Sequence, residues 1–303
     1  MSDSEANVVG VLVAYNTPGN VIVDTARRLG PQMSRLLVMD NSDRADAQVS
    51  GALSEAAIHG VEYHSLGGNV GIAPAQNQGI ARAMNLGAQY VLFLDDDSTF
   101  PAGGVDGLIR ALQNEREQFP ETVGIGPEVV DHRTGQALIP VWEGSRIRPG
   151  RVNTTTEVAY LISSGALIDV TAFEKFGLFK GEYFIDQVDK EWGLRVGLEG
   201  GRLVVTADVT MSHQLGDTPT RTRSGSVRYT HESATRDYYL TRNAVLLMRD
   251  LKLPAVKYVD LLRLLGESSV RKVLGRGRST AQRRAVLAGL RDGMRNRRGP
   301  RPQ

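Results

Sequence analysis

Four short segments rich in apolar residues divide the first hundred residues, and each ends at polar or turn-forming residues. The first, residues 8–15, is a continuous apolar run, which indicates a strand covered on both faces. The predicted strands are residues 8–15, 35–39, 61–64 and 90–94, and the predicted helices are residues 21–29, 45–59 and 69–86. This βαβαβαβ order predicts an α/β fold with a mainly parallel sheet and helices on both faces.

The second half of the chain has a less regular pattern. Its predicted elements are a helix at residues 105–117, a strand at 123–125, a polar hairpin or loop at 131–156 that holds Trp142, and an apolar strand at 160–168. Ser163, Ser164 and Gly165 interrupt the last of these strands. Such small residues would let a ligand approach the backbone closely.

The composition is that of an ordinary globular protein, with 303 residues of which 41% are hydrophobic and 23% are charged. No apolar stretch approaches the roughly 18 residues that suggest a membrane span. The first five residues are polar or acidic after the methionine, so we expect no leading signal peptide. The absence of cysteine removes disulfides, thiolate metal sites and thiol nucleophiles. These features predict a cytoplasmic protein.

Charge is distributed unevenly along the chain. Residues 249–303 hold 15 basic and 4 acidic side chains, a net charge of +11, whereas the preceding residues hold 21 basic and 30 acidic side chains, a net charge of −9. A basic tail with recurring apolar residues could lie peripherally on the inner face of the cytoplasmic membrane. It could equally be a packed helix with a solvated basic face, or a subunit interface in an oligomer. Tyr258 is its one aromatic residue, so we expect no nucleic-acid partner.

Three consecutive aspartates, Asp95, Asp96 and Asp97, follow the fourth predicted strand. Adjacent carboxylates at a strand end repel one another unless water or a cation neutralises them. Their hard oxygen atoms suit Mg²⁺ or Mn²⁺, which in turn suit phosphate. The alternative is a solvated acidic turn, because aspartate is common after strands.

Two other polar pairs also follow predicted strands. Tyr15-Asn16 ends the first strand and Asp40-Asn41 ends the second. Ligands of parallel sheets bind beyond the carboxyl ends of the strands, so these pairs and the aspartates are expected to line one crevice. His213 follows a later strand and is a candidate metal ligand, although a lone histidine is more often structural.

A second group of carboxylates lies at residues 182–195. Asp189 and Trp192 are three residues apart and therefore share one face of a helix, with Asp186 and Glu191 nearby. A carboxylate beside an aromatic ring can act as a general base while the ring carries the apolar face of a sugar. The alternative is a capped amphipathic helix with Asp186 or Asp189 as its N-cap.

The segments that carry a resemblance to a known family are Tyr15-Asn16, Asp40-Asn41-Ser42, residues 69–79, residues 94–98, residues 184–192, Ser212-His213 and residues 238–243. In this order they resemble family 2 glycosyltransferases of the GT-A fold. The resemblance is to rhamnosyltransferases in particular, which use dTDP-L-rhamnose in the synthesis of lipopolysaccharide O-antigen and other cell-surface polysaccharides. It covers residues 8–250. An aspartate triplet alone is weak evidence, whereas the ordered set is strong evidence.

The resemblance implies a role for each candidate residue. The nucleotide-sugar donor would be bound by Tyr15, Asn16, Asp40, Asn69, Asp95 and Asp96, with Asp40 on the pyrimidine. A divalent ion, Mg²⁺ or Mn²⁺, would be held by Asp95, Asp97 and His213. Asp189 would be the catalytic base, and Asp186 is the second candidate for that role. Trp192 and Glu191 would contact the acceptor.

The implied reaction is an inverting, metal-dependent transfer of a sugar to a hydroxyl of a glycan or lipid-linked glycan. One base and one metal ion suffice, whereas a glycoside hydrolase would need two carboxylates flanking the bond. The implied domain organisation is a GT-A domain at residues 1–250, with a nucleotide-sugar half at about 8–100 and an acceptor half at about 101–250. A basic helical extension at residues 251–303 follows.

Two alternatives to this function remain open. Residues 95–99 also match the Asp-x-Asp-x-Thr pattern of haloacid-dehalogenase-like phosphatases, in which Asp95 would be a phosphorylated nucleophile. That motif normally follows the first strand of its domain, whereas three predicted strands precede it here. The other alternative is a protein that binds a nucleotide sugar without turning it over.

Overall fold

The computed structural model describes residues 6–43, 47–55, 60–96, 100–137, 139–143, 146–213, 218–221, 227–230, 233–275 and 278–301. Strands and helices alternate in the first half: β1 (Val8–Ala14), α1 (Gly19–Leu29), β2 (Arg35–Asp40), α2 (Ala47–Glu55), β3 (Val61–Ser65), α3 (Ile72–Asn85) and β4 (Tyr90–Asp95). The βαβαβαβ order predicted from the sequence is confirmed.

The second half continues with α4 (Gly104–Gln118), β5 (Thr122–Asp131), β6 (Ile139–Glu143), β7 (Arg146–Gly150), β8 (Thr156–Glu157), β9 (Leu167–Asp169), α5 (Val170–Phe176), α6 (Val188–Leu198) and β10 (Arg202–His213). The chain then forms β11 (Thr218–Arg221), β12 (Val227–Thr230), α7 (Ala234–Asp250), α8 (Ala255–Leu274) and α9 (Thr280–Met294). A 3₁₀ turn at Gly181–Tyr183 precedes α6.

An eight-stranded sheet forms the centre of the molecule, in the order β3-β2-β1-β4-β9-β5-β10-β8. The four strands of the first half pair in parallel, and β5 and β10 also pair in parallel. The short strand β9 runs antiparallel to its neighbours β4 and β5 and so joins the two halves. Strands β6 and β7 form a separate hairpin in which Trp142 pairs with Ile147. The predicted mainly parallel sheet is confirmed, and the polar stretch contains a hairpin.

Apolar side chains cover both faces of this sheet. All seven residues of β1 are buried. Val9 and Val11 pack into one core cluster with Phe93, whereas Leu12 packs into the cluster on the opposite face with Ile22. Burial of each such aliphatic side chain contributes about 1.5–3 kcal/mol. The end of β1 is therefore a rigid platform for the residues that follow it.

The strand predicted at residues 160–168 is shorter in the structure. Only Leu167–Asp169 forms a strand, so the prediction of a longer strand was wrong. Gly165 has a φ of +83°, a conformation that favours glycine. Its N–H donates to the carbonyl oxygen of Phe93 (2.8 Å), and the N–H of Phe93 donates to the carbonyl oxygen of Ala166 (3.0 Å). The predicted Ser-Ser-Gly interruption is thus a turn held against β4.

The C-terminal part is helical, as predicted for residues 251–303. Helix α9 lies very close to α7, because a Cβ on Gly289 would lie only 2.5 Å from the carbonyl oxygen of Tyr238. Helix α8 is tied to α7 by an ion pair between Lys272 and Asp237 (3.0 Å). No helix in the described ranges is long and apolar enough to cross a membrane. The division of the chain at residue 250 stays a prediction.

Candidate active site

The carboxyl ends of three neighbouring strands meet at one edge of the sheet. Ala14 at the end of β1 pairs with Asp40 at the end of β2. On the other side of β1, Val13 pairs with Asp95 at the end of β4. This register brings Tyr15, Asp40 and Asp95 to the same edge, as the sequence predicted.

Asp40 is the most enclosed carboxylate of this edge, with 2% of its surface exposed. Its Oδ2 accepts a hydrogen bond from the Tyr63 hydroxyl (2.5 Å), and its Oδ1 accepts one from the Ser42 N–H (3.0 Å). Hydrogen bonds to an ionised acceptor are stronger than bonds between neutral groups. Asp40 therefore fixes the turn after β2, and its contact with a pyrimidine stays a prediction. No pattern in the sequence pointed to Tyr63.

Tyr15 and Asn16 form the exposed rim of the same edge. Tyr15 is 47% exposed, and its hydroxyl donates to Asp43 Oδ2 (3.0 Å). Asn16 has a left-handed φ of 53°, which asparagine tolerates better than most residues. Its N–H donates to the Ser42 hydroxyl oxygen (2.8 Å). The turns after β1 and β2 are thus bonded to each other.

Asn69 lies beside the turn after β2. Its Oδ1 accepts hydrogen bonds from the Gly71 N–H (3.0 Å) and from the Asn41 side-chain amide (3.3 Å). Asn41 Oδ1 in turn accepts from the Val70 N–H (2.8 Å). The two asparagines link the end of β2 to the start of α3, so Asn69 lies beside this edge, and its contact with a donor stays a prediction.

The aspartate triplet is described only in part. Asp95 ends β4, and Asp96 accepts a hydrogen bond from the Thr17 hydroxyl. Asp97 lies outside the described residues, and only the backbone of His213, at the end of β10, is described. No group of three metal-binding side chains occurs among the residues with described positions. The carboxylates of Asp95 and Asp96 are hard donors of the type that Mg²⁺ and Mn²⁺ prefer, so these two residues fit a divalent ion.

A second candidate region lies at the start of α6, where Asp189 occupies the first turn. The half-buried Asp189 lines a small cavity of about 10 Å³, room for one water-sized group, together with Phe93, Leu161, Ser163, Ala166, Ile168, Phe179 and Trp192. Its Oδ1 accepts from the Lys190 N–H (2.8 Å). Burial raises the pKa of Asp189 above its ordinary value and the charge of Asp186 raises it further, although backbone N–H groups of Lys190 and Ser163 oppose the shift. A carboxylate with a raised pKa is a stronger proton acceptor than an ordinary aspartate.

Asp186 has a different environment. Its carboxylate forms an ion pair with Arg236 (2.7 Å), and only 6% of its side chain is exposed. This ion pair would have to break before the Asp186 carboxylate could take a proton from another group. Of the two candidate bases, the geometry therefore favours Asp189.

Glu191 and Trp192 are held in the interior. Glu191 is fully buried, and its two oxygens pair with Arg195 (2.9 Å) and Lys180 (3.2 Å). This corrects the expectation that Glu191 contacts the acceptor, because a buried and doubly paired carboxylate has no surface to offer. Trp192 is 3% exposed and donates to the carbonyl oxygen of Gly177 (2.8 Å). Its ring forms part of the pocket wall beside Asp189, so its acceptor contact stays a prediction.

The loop before Asp189 has an unusual backbone. Phe184, Asp186 and Gln187 all have positive φ angles, of 68°, 65° and 62°, although none is glycine. Non-glycine residues in this region cost about 1–3 kcal/mol each and persist only where surrounding structure imposes them. Something outside the loop must therefore hold it.

Asn243 of α7 holds this loop. Its side-chain nitrogen lies 2.8 Å from the carbonyl oxygen of Tyr183, 2.7 Å from that of Ile185 and 3.0 Å from that of Asp186. The two amide hydrogens are shared among these three acceptors. The neighbouring Arg242, fully buried, also donates to the carbonyl oxygen of Tyr183 (2.9 Å). The sequence resemblance included residues 238–243 but assigned them no role.

The residues after α9 return to the same loop. The N–H of Gly299 donates to the carbonyl oxygen of Glu182 (2.7 Å), and Arg242 donates to the carbonyl oxygen of Gly299 (2.5 Å). Arg298 pairs with Asp250 (2.5 Å) and Glu182 (3.1 Å). The last described residues therefore brace the region that carries Asp189, and charge counts along the sequence could not reveal this.

Comparison with known proteins gives one family and one similar curated sequence. The sequence pattern of "Glycosyl transferase family 2" matches residues 11–177, which is more than half of the chain. The chain is 29% identical over 255 residues to "dTDP-rhamnosyl transferase RfbF" from Shigella flexneri, and the match covers 82% of each chain.

Solved structures with the same fold include "GalNAc-T7 with UDP, GalNAc and Mn2+", with a TM-score of 0.62, 13% identity and 97% of this chain covered. This chain spans 57% of that protein's length. S. aureus TarS 1–349 in complex with UDP-GlcNAc gives a TM-score of 0.60 at 13% identity, covering 95% of this chain and 81% of TarS 1–349. The mannosyltransferase PcManGT from Pyrobaculum calidifontis, in complex with GDP-Man and Mn2+, gives 0.55 at 13% identity, covering 97% of this chain and 88% of PcManGT.

These structures are GT-A glycosyltransferases, so the GT-A fold implied by the sequence is confirmed. The family match disfavours both the phosphatase and the non-catalytic alternative. The chain belongs to glycosyl transferase family 2 and is a glycosyltransferase, similar to a rhamnosyltransferase.

Proposed function

We propose that this enzyme transfers L-rhamnose from dTDP-L-rhamnose to a hydroxyl group of a glycan acceptor, with inversion at the anomeric carbon. The assignment of dTDP-L-rhamnose as the donor rests on the similarity to dTDP-rhamnosyl transferase RfbF. The observation that carries the mechanism is the contrast between two neighbouring carboxylates. Asp189 has a raised pKa and faces a pocket, whereas Asp186 is paired with Arg236.

Asp189 is the base in this proposal. It takes the proton of the acceptor hydroxyl as the hydroxyl oxygen attacks the anomeric carbon of the donor, and the bond from that carbon to the diphosphate oxygen breaks so that dTDP leaves with the electron pair. The raised pKa means that the carboxylate holds a proton more readily than an ordinary aspartate does. A single base on the attacking side supports direct displacement, because a double displacement needs a second carboxylate as nucleophile. Inversion follows from this arrangement.

In this proposal the donor binds at the carboxyl ends of β1, β2 and β4. The nucleoside would contact Tyr15, Asn16, Asp40 and Asn69, and the ribose and diphosphate would lie near Asp95 and Asp96. Ser42 bonds to both Asn16 and Asp40, Asn41 bonds to Asn69, and Thr17 bonds to Asp96, so much of this edge is organised before a ligand binds. Preorganisation of this kind lowers the entropy cost of binding.

We also propose that the enzyme binds a divalent ion, Mg²⁺ or Mn²⁺. Asp95 would hold it together with Asp97 and His213, whose side chains lie outside the described part. When bound, such an ion supplies positive charge to the departing diphosphate. GalNAc-T7 and PcManGT, which share the fold, are described with Mn²⁺.

The cellular setting is also a proposal. We infer a cytoplasmic enzyme of bacterial surface polysaccharide synthesis, including lipopolysaccharide O-antigen, that acts on a glycan or lipid-linked glycan. The net charge of +11 in residues 249–303 supports peripheral contact with an anionic membrane.

Donor selectivity tests this proposal. The wild-type enzyme would be titrated with dTDP-L-rhamnose, UDP-glucose, UDP-galactose and GDP-mannose, each with Mn²⁺, Mg²⁺ or EDTA, and slow donor cleavage would be followed in parallel. We expect metal-dependent binding and cleavage of dTDP-L-rhamnose in preference to the other donors. Preference for another donor would discard rhamnose and leave the mechanism, whereas equal binding in EDTA would contradict the metal dependence.

A further inference from the structure

A groove between α7 and α8 begins at the amino terminus of α6, next to the proposed base. It encloses about 260 Å³. Its apolar walls are Leu240, Ala244 and Leu247 from α7 and Leu261, Leu264 and Leu265 from α8. Gln187 and Lys190 close one side of the groove, and Lys190 directly follows Asp189 in the chain. Asp189 does not line this groove, but its carboxylate acts electrostatically on the Lys190 ammonium, so this end of the groove lies near the proposed base.

The polar side of this groove is basic. Lys190, Arg271 and Lys272 line it, and its lining contains no acidic side chain among the residues with described positions. Lys272 is paired with Asp237 (3.0 Å), and Arg271 lies 3.7 Å from Glu267 on its own helix. The ammonium of Lys190 makes no direct ion pair among the described residues, although the carboxylates of Asp189 and Asp260 attract it from farther away, and it lies 5.9 Å from the centre of the Tyr160 ring. A half-buried ammonium without a paired carboxylate is a favourable place for an anionic group.

The outer surface of α8 is apolar as well. Val256, Val259, Leu262, Val270 and Leu274 are each at least half exposed, with fractions from 50% to 74%. Apolar side chains on a basic helix are typical of a segment that lies on an anionic membrane surface. The mouth of the groove, on the same helix, would then open at the surface where lipid chains are available.

We propose that the groove between α7 and α8 binds the apolar chain and the phosphate group of a lipid-linked acceptor. The apolar chain would lie between the α7 wall and the leucines of α8. The phosphate would be bound by Lys190 and Arg271, which would leave the sugar of the acceptor next to Asp189. This inference rests on the proposed function, because it gives a chemical class to the acceptor of that reaction.

Octyl phosphate is a suitable probe because it combines a short apolar chain with one phosphate. Its affinity would be measured by isothermal titration calorimetry on the full chain and compared with the affinities of octanol and inorganic phosphate. We expect octyl phosphate to bind about tenfold more tightly than either fragment, since the groove contacts both of its parts. Equal affinities for octyl phosphate and one of its fragments would overturn the proposal.

Substitutions in the groove test whether octyl phosphate binds there. Leu264→Gln and Lys190→Gln should each weaken octyl phosphate binding by about tenfold. Arg271→Gln, at a largely exposed position, tests the phosphate contact again without risk to the core. The matched controls are Leu287→Gln and Arg284→Gln on the exposed surface of α9, which should bind octyl phosphate as the wild type does. Equal losses in test and control variants would overturn the proposal.

Two further outcomes separate this inference from its alternatives. If a second copy of the chain covers the groove, the wild type should sediment as a dimer and Leu264→Gln as a monomer, and that result would overturn the lipid assignment. Donor cleavage is measured separately on the wild type. Octyl phosphate binding with neither binding nor cleavage of dTDP-L-rhamnose would refute the proposed donor and leave the groove assignment standing, whereas the reverse result would refute only the groove assignment.

Discussion

The contact between Asn243 and the loop before Asp189 gives a prediction that can be worked out from distances. In Asn243→Leu the side chain keeps a similar volume but loses its amide. The carbonyl oxygen of Tyr183 keeps its bond from Arg242 (2.9 Å), whereas those of Ile185 and Asp186 lose the Asn243 donor. A fully buried acceptor left unpaired costs about 1–3 kcal/mol, and these two acceptors are part-buried, so the loop loses at most about 2–6 kcal/mol.

That loss is comparable to the strain stored in the loop. Phe184, Asp186 and Gln187 hold positive φ angles at about 1–3 kcal/mol each. Without Asn243 the loop should relax toward ordinary backbone angles and move the start of α6. A displacement of about 1 Å at a reacting group can cost roughly a hundredfold in rate. We therefore expect kcat to fall by about a hundredfold.

Steady-state kinetics and calorimetry check this prediction. The affinity for the donor should stay near the wild-type value, because the proposed donor residues other than Asn69 lie at the ends of β1, β2 and β4. The acid limb of the kcat–pH profile should also shift toward lower pH, because a displaced Asp189 is less buried. Asn114→Leu, at an exposed asparagine of α4, is the matched control. A variant with lower thermal stability but unchanged kcat and pH profile would refute the reasoning.

Single side chains give three other predictions. Asp189→Asn should abolish transfer, because the amide cannot accept the proton, while donor affinity measured by calorimetry stays within about twofold of the wild type. A variant with wild-type turnover would exclude Asp189 as the base. Wild-type kcat should fall as pH drops through the raised pKa of Asp189, so the acid limb of the kcat–pH profile should lie above the ordinary aspartate pKa. An acid limb at the ordinary aspartate pKa would contradict the argument that burial raises the pKa of Asp189. Glu191→Gln should destabilise the fold by about 1–3 kcal/mol in denaturant unfolding, because Arg195 loses its buried carboxylate while Lys180 keeps Asp250 (3.1 Å). An unchanged midpoint would contradict a structural role for Glu191.

The first half of the fold could be predicted from the sequence because its information is local. A buried strand such as β1 reads as a continuous apolar run, and the polar residue that follows it marks the carboxyl end. Since parallel strands end at one edge, Tyr15, Asp40 and Asp95 could be placed together without coordinates. The prediction of a strand at residues 160–168 was wrong because a turn at Gly165, held by hydrogen bonds to β4, interrupts the pairing between strands.

The second half of the site could be predicted only in part because its contacts are distant in sequence. The pattern around Asp189 and Trp192 was visible, but it could not show that Glu191 turns inward to Lys180 and Arg195. Nor could it show that Asn243 reaches across to Asp186. These roles depend on how α7 packs beside the loop, and no local pattern encodes that packing.

The stereochemistry of donor cleavage tests the central claim most directly and needs no knowledge of the acceptor. The enzyme would be incubated with dTDP-L-rhamnose and the divalent ion that supports binding, and the anomer of rhamnose released first would be identified by NMR before mutarotation. Direct displacement assisted by Asp189 predicts that the first product has the anomeric configuration opposite to that of the donor. Release of rhamnose with the donor's own configuration would contradict the proposed mechanism.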